Sequence, residues 1–164
     1  AERIAHALLR HGVPASQLMC EITESVAMED IKATQRTFND LARIGVYLSI
    51  DDFGTGYSSL SYLRQLPARQ LKIDRSYVDS VTMSAERAKL VDAIIKLGAS
   101  LGLVTTAEGI ETEDSSSWLS DQGCAFGQGY LFGKPMPKDE IDRVIAHPAC
   151  DPADCATPRS TQAA

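Results

Sequence analysis

Several features are scarce or missing in the 164-residue sequence, and each shortage excludes something. No apolar run approaches the ~20 residues that a membrane-spanning helix needs. No signal peptide is visible, and the first residue is Ala1 rather than Met, so the chain is expected to be a piece of something longer. Basic residues are outnumbered, 16 Lys and Arg against 22 Asp and Glu, for a formal net charge of -6. A broad electrostatic grip on a nucleic acid polymer needs the opposite balance. An acidic chain can still hold a phosphate ligand, with metal ions or local cations to help. The three histidines, His6, His11 and His147, lie on helical stretches or in the tail, never at a strand end. That disfavours a His-based hydrolase or a His-rich metal centre. There is no Gly-x-Ser-x-Gly nucleophile motif and no Walker A motif. The dinucleotide fingerprint fails too, because Ser59 stands where Gly54-Thr55-Gly56 would need a third glycine. Of four cysteines, Cys20 and Cys124 sit in apolar runs and read as small buried hydrophobes. Cys150 and Cys155, with His147 nearby, fall short of the four ligands of a structural zinc site. Reduced thiols in the cytoplasm are the default expectation.

What is present is an alternation. Four times a helix-like segment runs into a glycine (Gly12, Gly45, Gly102 and Gly123) and then into an apolar, strand-like run. The spacing predicts helices over about 1–11, 28–44, 85–101, 111–122 and 138–146, with a short one near 58–66. Ile31, Phe38, Leu41 and Ala42 share one face of the second helix; Leu90, Val91, Ile94, Ile95, Gly98 and Leu101 form a broad stripe on the long one. Strands are predicted over about 18–23, 46–51, 70–74, 103–107 and 124–128. Strands alternating with helices argue for an α/β domain with a parallel sheet, either doubly wound or a (β/α)8 barrel. After Ala146 the apolar period stops, and residues 147–164, rich in Pro, Ala, Asp, Ser and Thr, read as a disordered tail.

Parity locates the chemistry. Residues two apart on a strand share a face. On that rule Glu21, Asp51, Lys72, Glu108 and Gln128 are each the polar group near the C-terminal end of one strand, and Glu24 and Asp52 lie just beyond two of those ends. Ligands of parallel α/β folds bind at these ends. Four carboxylates gathered there repel one another unless something positive sits among them, and hard divalent cations prefer oxygen ligands. The run Asp51-Asp52-Phe53-Gly54-Thr55-Gly56-Tyr57-Ser58-Ser59 has two readings: a βα turn with helix-capping hydroxyls, or an active-site loop at a helix N-terminus near a phosphate.

These residues carry a resemblance. Glu21-Ile22-Thr23-Glu24-Ser25, Asp51 through Leu60, Leu71-Lys72-Ile73-Asp74-Arg75-Ser76-Tyr77-Val78, Thr106-Ala107-Glu108-Gly109-Ile110-Glu111-Thr112 and Gly127 through Pro135 stand in order and at plausible spacing. Over about residues 1–146 the chain resembles the EAL family of bacterial cyclic di-GMP phosphodiesterases. The resemblance implies a (β/α)8 TIM-type barrel, present here incompletely as about five parallel strands alternating with helices. It implies hydrolysis of cyclic di-GMP to linear pGpG with two Mg2+ or Mn2+ ions. Glu21 and Asp51 would bind one ion, and Asp51 would bridge to a second held also by Asp52 and Glu108. Lys72 would contact the attacking water, and Gln128 would help hold that water or the site around it. Glu24 would fix the loop that follows Asp52, while Asp74 and Glu111 would act on the substrate side or behind the metal ligands. It further implies a bacterial signalling setting, including biofilm regulation, a homodimer through this domain, and an upstream sensory or GGDEF domain. The localisation it implies is cytoplasmic, with any membrane anchor upstream.

The sequence also departs from the family. The Glu-Ala-Leu string is absent; the nearest, His6-Ala7-Leu8, lies on a helix. That metal-binding Glu and a metal-binding Asn on the next strand would precede Ala1, so the 164 residues alone are expected to turn over little or no substrate. Five strands cannot close an eight-stranded barrel, and an open edge invites self-association. The competing expectation is a non-catalytic cyclic di-GMP receptor or interaction module.

Overall fold

A computed structural model describes residues 1–54 and 60–146. The expected tail, with Cys150, Cys155 and His147, lies outside the described residues, as does most of the loop after Gly54. The chain runs α1 (Glu2–His11), a 3-10 turn (Ala15–Gln17), β1 (Met19–Thr23), α2 (Glu24–Glu29), α3 (Ile31–Arg43), β2 (Tyr47–Phe53) and α4 (Leu60–Leu63). It continues through β3 (Gln70–Ile73), α5 (Arg75–Val78), α6 (Ala85–Ser100), β4 (Val104–Ala107), α7 (Glu113–Asp121), β5 (Phe126–Gly127) and α8 (Lys138–Ala146). All five strands are parallel and lie in sequence order in one sheet. Sequential order without a reversal is the arrangement of a barrel wall, and it removes the doubly wound alternative.

Local chemistry sets the helix limits. Asp30 accepts the Ala33 N–H at 2.9 Å, Ser84 that of Arg87 at 3.3 Å and Thr112 that of Ser115 at 3.2 Å, capping α3, α6 and α7. The Asp30 cap divides the predicted 28–44 helix in two: α2 follows β1 directly, and α3 begins afresh at Ile31. Ile31, in the first turn, is exposed, so Phe38 and Leu41 carry the buried stripe. The Thr112 cap likewise moves the start of α7 from 111 to 113. The four anticipated glycines all take positive φ, 63° at Gly12 and 91° at Gly45 among them.

Leu48 and Ile50 of β2 and Leu71 and Ile73 of β3 are fully buried, and together with Val91, Ile94 and Ile95 of α6 and Phe38 and Leu41 of α3 they belong to one core. Each such side chain stabilises the fold by roughly 1.5–3 kcal/mol relative to exposure. The expected 124–128 strand shrinks to two residues; Cys124, just before it, is half-buried like Cys20. No described helix is long and apolar enough to cross a membrane.

Candidate metal centre

The opposite face of the sheet is polar. Ser49 and Asp51 of β2, Gln70 and Lys72 of β3, and Thr106 of β4 alternate with the core residues, as parity requires. The Lys72 side chain is nearly buried, and its Nζ lies 3.0 Å from Glu21 Oε2, 3.0 Å from Asp51 Oδ1 and 2.7 Å from Glu108 Oε1. One ammonium thus joins carboxylates from β1, β2 and the end of β4. Burial alone would lower the affinity of Lys72 for its proton, but hydrogen bonds to Glu108, Glu21 and Asp51 outweigh it and hold the pKa above the usual lysine value.

A second acid enters because β2 is irregular. Between Ile50 and Phe53 its register slips by one residue, so that three steps on β2 match two on β3. The extra residue is a β-bulge at Asp51-Asp52. Asp52 has φ of 53°, the single non-glycine among the described residues with positive φ. Neighbours on a regular strand point to opposite faces; the bulge and the left-handed residue turn both acids to the same side. Carboxylate oxygens of Asp51, Asp52 and Glu108 come within 4.8 Å of one another. Partial burial, then the charges of Asp51 and Asp74 and a hydrogen bond with Asp74, raise the Asp52 pKa, and Lys72 only partly offsets them. The predicted strand end at 51 is therefore corrected: β2 continues to Phe53, and the acid pair sits in a bulge rather than beyond the strand.

Four carboxylates face one ammonium here, and the donors are all hard oxygens. That set fits a divalent cation of the Mg2+, Mn2+ or Ca2+ kind. Strain and like-charge crowding kept at one spot are characteristic of functional sites.

The remaining predicted residues divide into three places. Glu24, 1% exposed, accepts the Gly54 N–H at 2.8 Å, so it holds the first residue of the loop after the acid pair. Asp74 accepts the Ser76 N–H at 3.0 Å, capping α5, and approaches Asp52. Glu111 and Gln128 do not join the acid cluster. They line a neighbouring cavity of 210 Å³ with Glu108, Arg75 and Tyr130, in which Arg75 Nη2 pairs with Glu111 at 2.9 Å. Gln128 is exposed, and its backbone ties Ala107 to Ile110 through bonds of 2.8 and 3.1 Å.

Two contributors escaped the sequence reading. Tyr77 of α5 donates its hydroxyl to the Gly54 carbonyl, and its ring leaves a Cβ at Gly54 only 2.8 Å of space. Arg75 is the one cation of the 210 Å³ cavity among its described lining residues. Both stand in the segment that follows Asp74, but only the geometry of the α5 turn shows where they reach.

Residues 1–135 match the EAL domain family. The chain is 46% identical over 145 residues to MucR of Pseudomonas aeruginosa, described as a bifunctional diguanylate cyclase/cyclic di-GMP phosphodiesterase. The match covers 88% of this chain and 21% of MucR, so the chain spans about a fifth of that relative's length. A solved MucR phosphodiesterase in complex with c-di-GMP superposes with a TM-score of 0.83, covering 85% of this chain and 57% of that one. The EAL domain of Mycobacterium smegmatis DcpA does so at 0.83 and 41% identity, covering 88% and 65%. Klebsiella pneumoniae BlrP1, solved with manganese and cyclic di-GMP, superposes at 0.76 and 30% identity, covering 82% and 34%.

Proposed function

This chain belongs to the EAL domain family, and on that premise we propose that its polar face, within the full-length protein, hydrolyses cyclic di-GMP to linear pGpG with two Mg2+ or Mn2+ ions. The observation that carries the reading is the convergence of Glu21, Asp51 and Glu108 on Lys72, with Asp52 turned by the bulge to the same side. Glu21, Asp51, Asp52 and Glu108 are the residues that would hold the ions. When bound, such ions supply positive charge at the phosphoryl oxygens and acidify water. The chain's own residues do the rest. Lys72 adds a positive charge that its three partners keep protonated, where negative charge grows as the phosphodiester is attacked. Glu24 and Tyr77 fix Gly54 from its amide and its carbonyl, which holds Asp52 in its left-handed position. Gln128 and Glu111, on the wall of the neighbouring cavity, face the substrate side, and Arg75 there presents a cation to an anionic dinucleotide. Asp74 acts behind Asp52 by capping α5.

The 164 residues taken alone turn over little substrate, because the family's Glu-Ala-Leu glutamate and its asparagine are not among them. The domain works in the cytoplasm as a homodimer, joined to an upstream sensory or GGDEF domain. The test is the full-length protein with cyclic di-GMP and Mn2+, its product identified by mass spectrometry. Accumulation of linear pGpG, lost on chelation, is the expected outcome. Calorimetric binding of cyclic di-GMP without any turnover would replace the enzyme by a receptor.

A further inference from the structure

One layer below the acids, the same face of the sheet holds a second polar row that the proposed chemistry does not use. Ser49 is fully buried, two residues before Asp51, and is the register partner of Gln70 on β3. Gln70 donates its Nε2–H to Thr106 Oγ1, two residues before Glu108. Thr106 is in turn the register partner of Lys72. Two atoms of this row are buried and have no hydrogen-bond partner among the described residues, Ser49 Oγ and Gln70 Oε1. They sit on neighbouring strands at the same rung, facing the same side.

Two orphaned polar atoms side by side are costly, and native interiors satisfy such groups with protein or with ordered water. The amide nitrogen of Gln70 is engaged by Thr106, which leaves its carbonyl oxygen, a pure acceptor, on the strand beside Ser49. A hydroxyl and a carbonyl so placed match the two ends of a single water, which donates to Oε1 and exchanges a hydrogen bond with Oγ. We infer that Ser49 and Gln70 form a binding site for one structural water, completing a chain of hydrogen bonds (Ser49, water, Gln70, Thr106) across β2, β3 and β4 directly beneath Asp51, Lys72 and Glu108. The chain ties together the three strands whose ends carry the acids and so positions their carboxylates. The site stands on the geometry of the sheet and holds whether or not the acids above serve hydrolysis.

The test uses two variants of the full-length protein, Ser49→Ala and Gln70→Met, both close in volume to the originals. A high-resolution crystal structure of the unmodified protein is expected to show one water within hydrogen-bond reach of both atoms. The sign of the Ser49→Ala effect is the sharper readout. If the hydroxyl holds a water, its loss lowers Tm; if the hydroxyl is a true orphan, its loss removes an unpaired buried polar group and raises Tm. For the positioning role, both variants are expected to weaken Mn2+ binding, measured by calorimetry, by about tenfold. Density showing a direct Ser49–Gln70 bond with no water, or a raised Tm in Ser49→Ala, would overturn the site. Unchanged Mn2+ affinity in both variants would overturn its positioning role.

Discussion

The two faces of the central sheet are made from alternate residues of the same strands, yet they are built on opposite terms. On the helix side, Leu48, Ile50, Leu71 and Ile73 are sealed from solvent in a continuous apolar core. On the other side, Ser49 and Gln70 form a polar row, Asp52 takes a left-handed backbone, and the carboxylates of Glu21, Asp51 and Glu108 crowd one lysine. The first face is satisfied by the protein alone. The second crowds like charges around one ammonium, and that is what marks it as a candidate site. Natural folds commonly set local stability against function in this way.

The comparison can be broken most forcefully from the core. Leu71→Ala removes a fully buried side chain at the centre of the sheet and is expected to cost about 2–5 kcal/mol in chemical denaturation. The folded fraction should bind Mn2+ as before. A matching loss of intrinsic metal affinity would mean that the two faces are not separable.

Asp52→Asn makes the converse test. Asparagine tolerates the left-handed backbone as aspartate does, so the bulge should persist. The neutral amide removes a charge that Asp51 and Asp74 repel. Metal-free protein is therefore expected to be as stable as the original or more so in thermal unfolding. Its Mn2+ affinity should fall by about 100-fold, the upper end of what even outer-shell changes cost. Lost metal-free stability would show that Asp52 serves the fold rather than the ion.

Gly54 sits where the faces meet. Its φ of 104° and the Tyr77 ring leave no room for a Cβ, which would lie 2.8 Å from the ring. Gly54→Ala is expected to cost about 1–3 kcal/mol of local strain. Because that strain falls on the residue after Phe53, the acid pair should feel it, with weaker Mn2+ binding alongside the lower Tm. A full-sized stability loss with unchanged Mn2+ binding would detach the loop from the acids.

The sequence carried the apolar face well, because its signals are periodic. The two-residue alternation of β2 and β3 and the stripe of Val91, Ile94 and Ile95 repeat with a known period, and Gly12, Gly45, Gly102 and Gly123 mark the ends of four helices. The convergence of Glu21, Asp51, Lys72 and Glu108 was legible for the same reason, since parity puts each at a strand end. What periodicity could not show was its own interruption. A bulge of one residue leaves no mark in the letters Asp51-Asp52, and the αL backbone of Asp52 follows from packing around it. Asp30 lies inside a stretch with no glycine or proline to interrupt it, which is why 28–44 reads as one helix although its side chain caps a new one. Parity put Gln128 in the series of strand-end groups as well, but β5 ends at Gly127, so Gln128 leaves the strand and lies with Glu111 on the wall of the cavity beside Glu108; for Glu111, beyond the end of β4, the turn after Glu108 decides the direction.

The smallest effect is the most specific. Tyr77→Phe keeps the ring packed on Gly54 and removes only the hydroxyl that donates to the Gly54 carbonyl. A hydrogen bond of this kind contributes about 1 kcal/mol. Global Tm should therefore move little, since the core is untouched. The Gly54 amide, which donates to Glu24 at 2.8 Å on the other side of the same residue, is the local reporter. If the two contacts together hold Gly54, loss of one loosens the other, and amide hydrogen exchange at Gly54 should quicken about fivefold while core amides such as Leu71 stay protected. Equal acceleration at both positions would mean that the hydroxyl supports the whole fold; no acceleration at Gly54 would mean that Glu24 alone sets the loop. Only selective loosening at Gly54 shows a polar face held by its own contacts, distinct from the core that carries it.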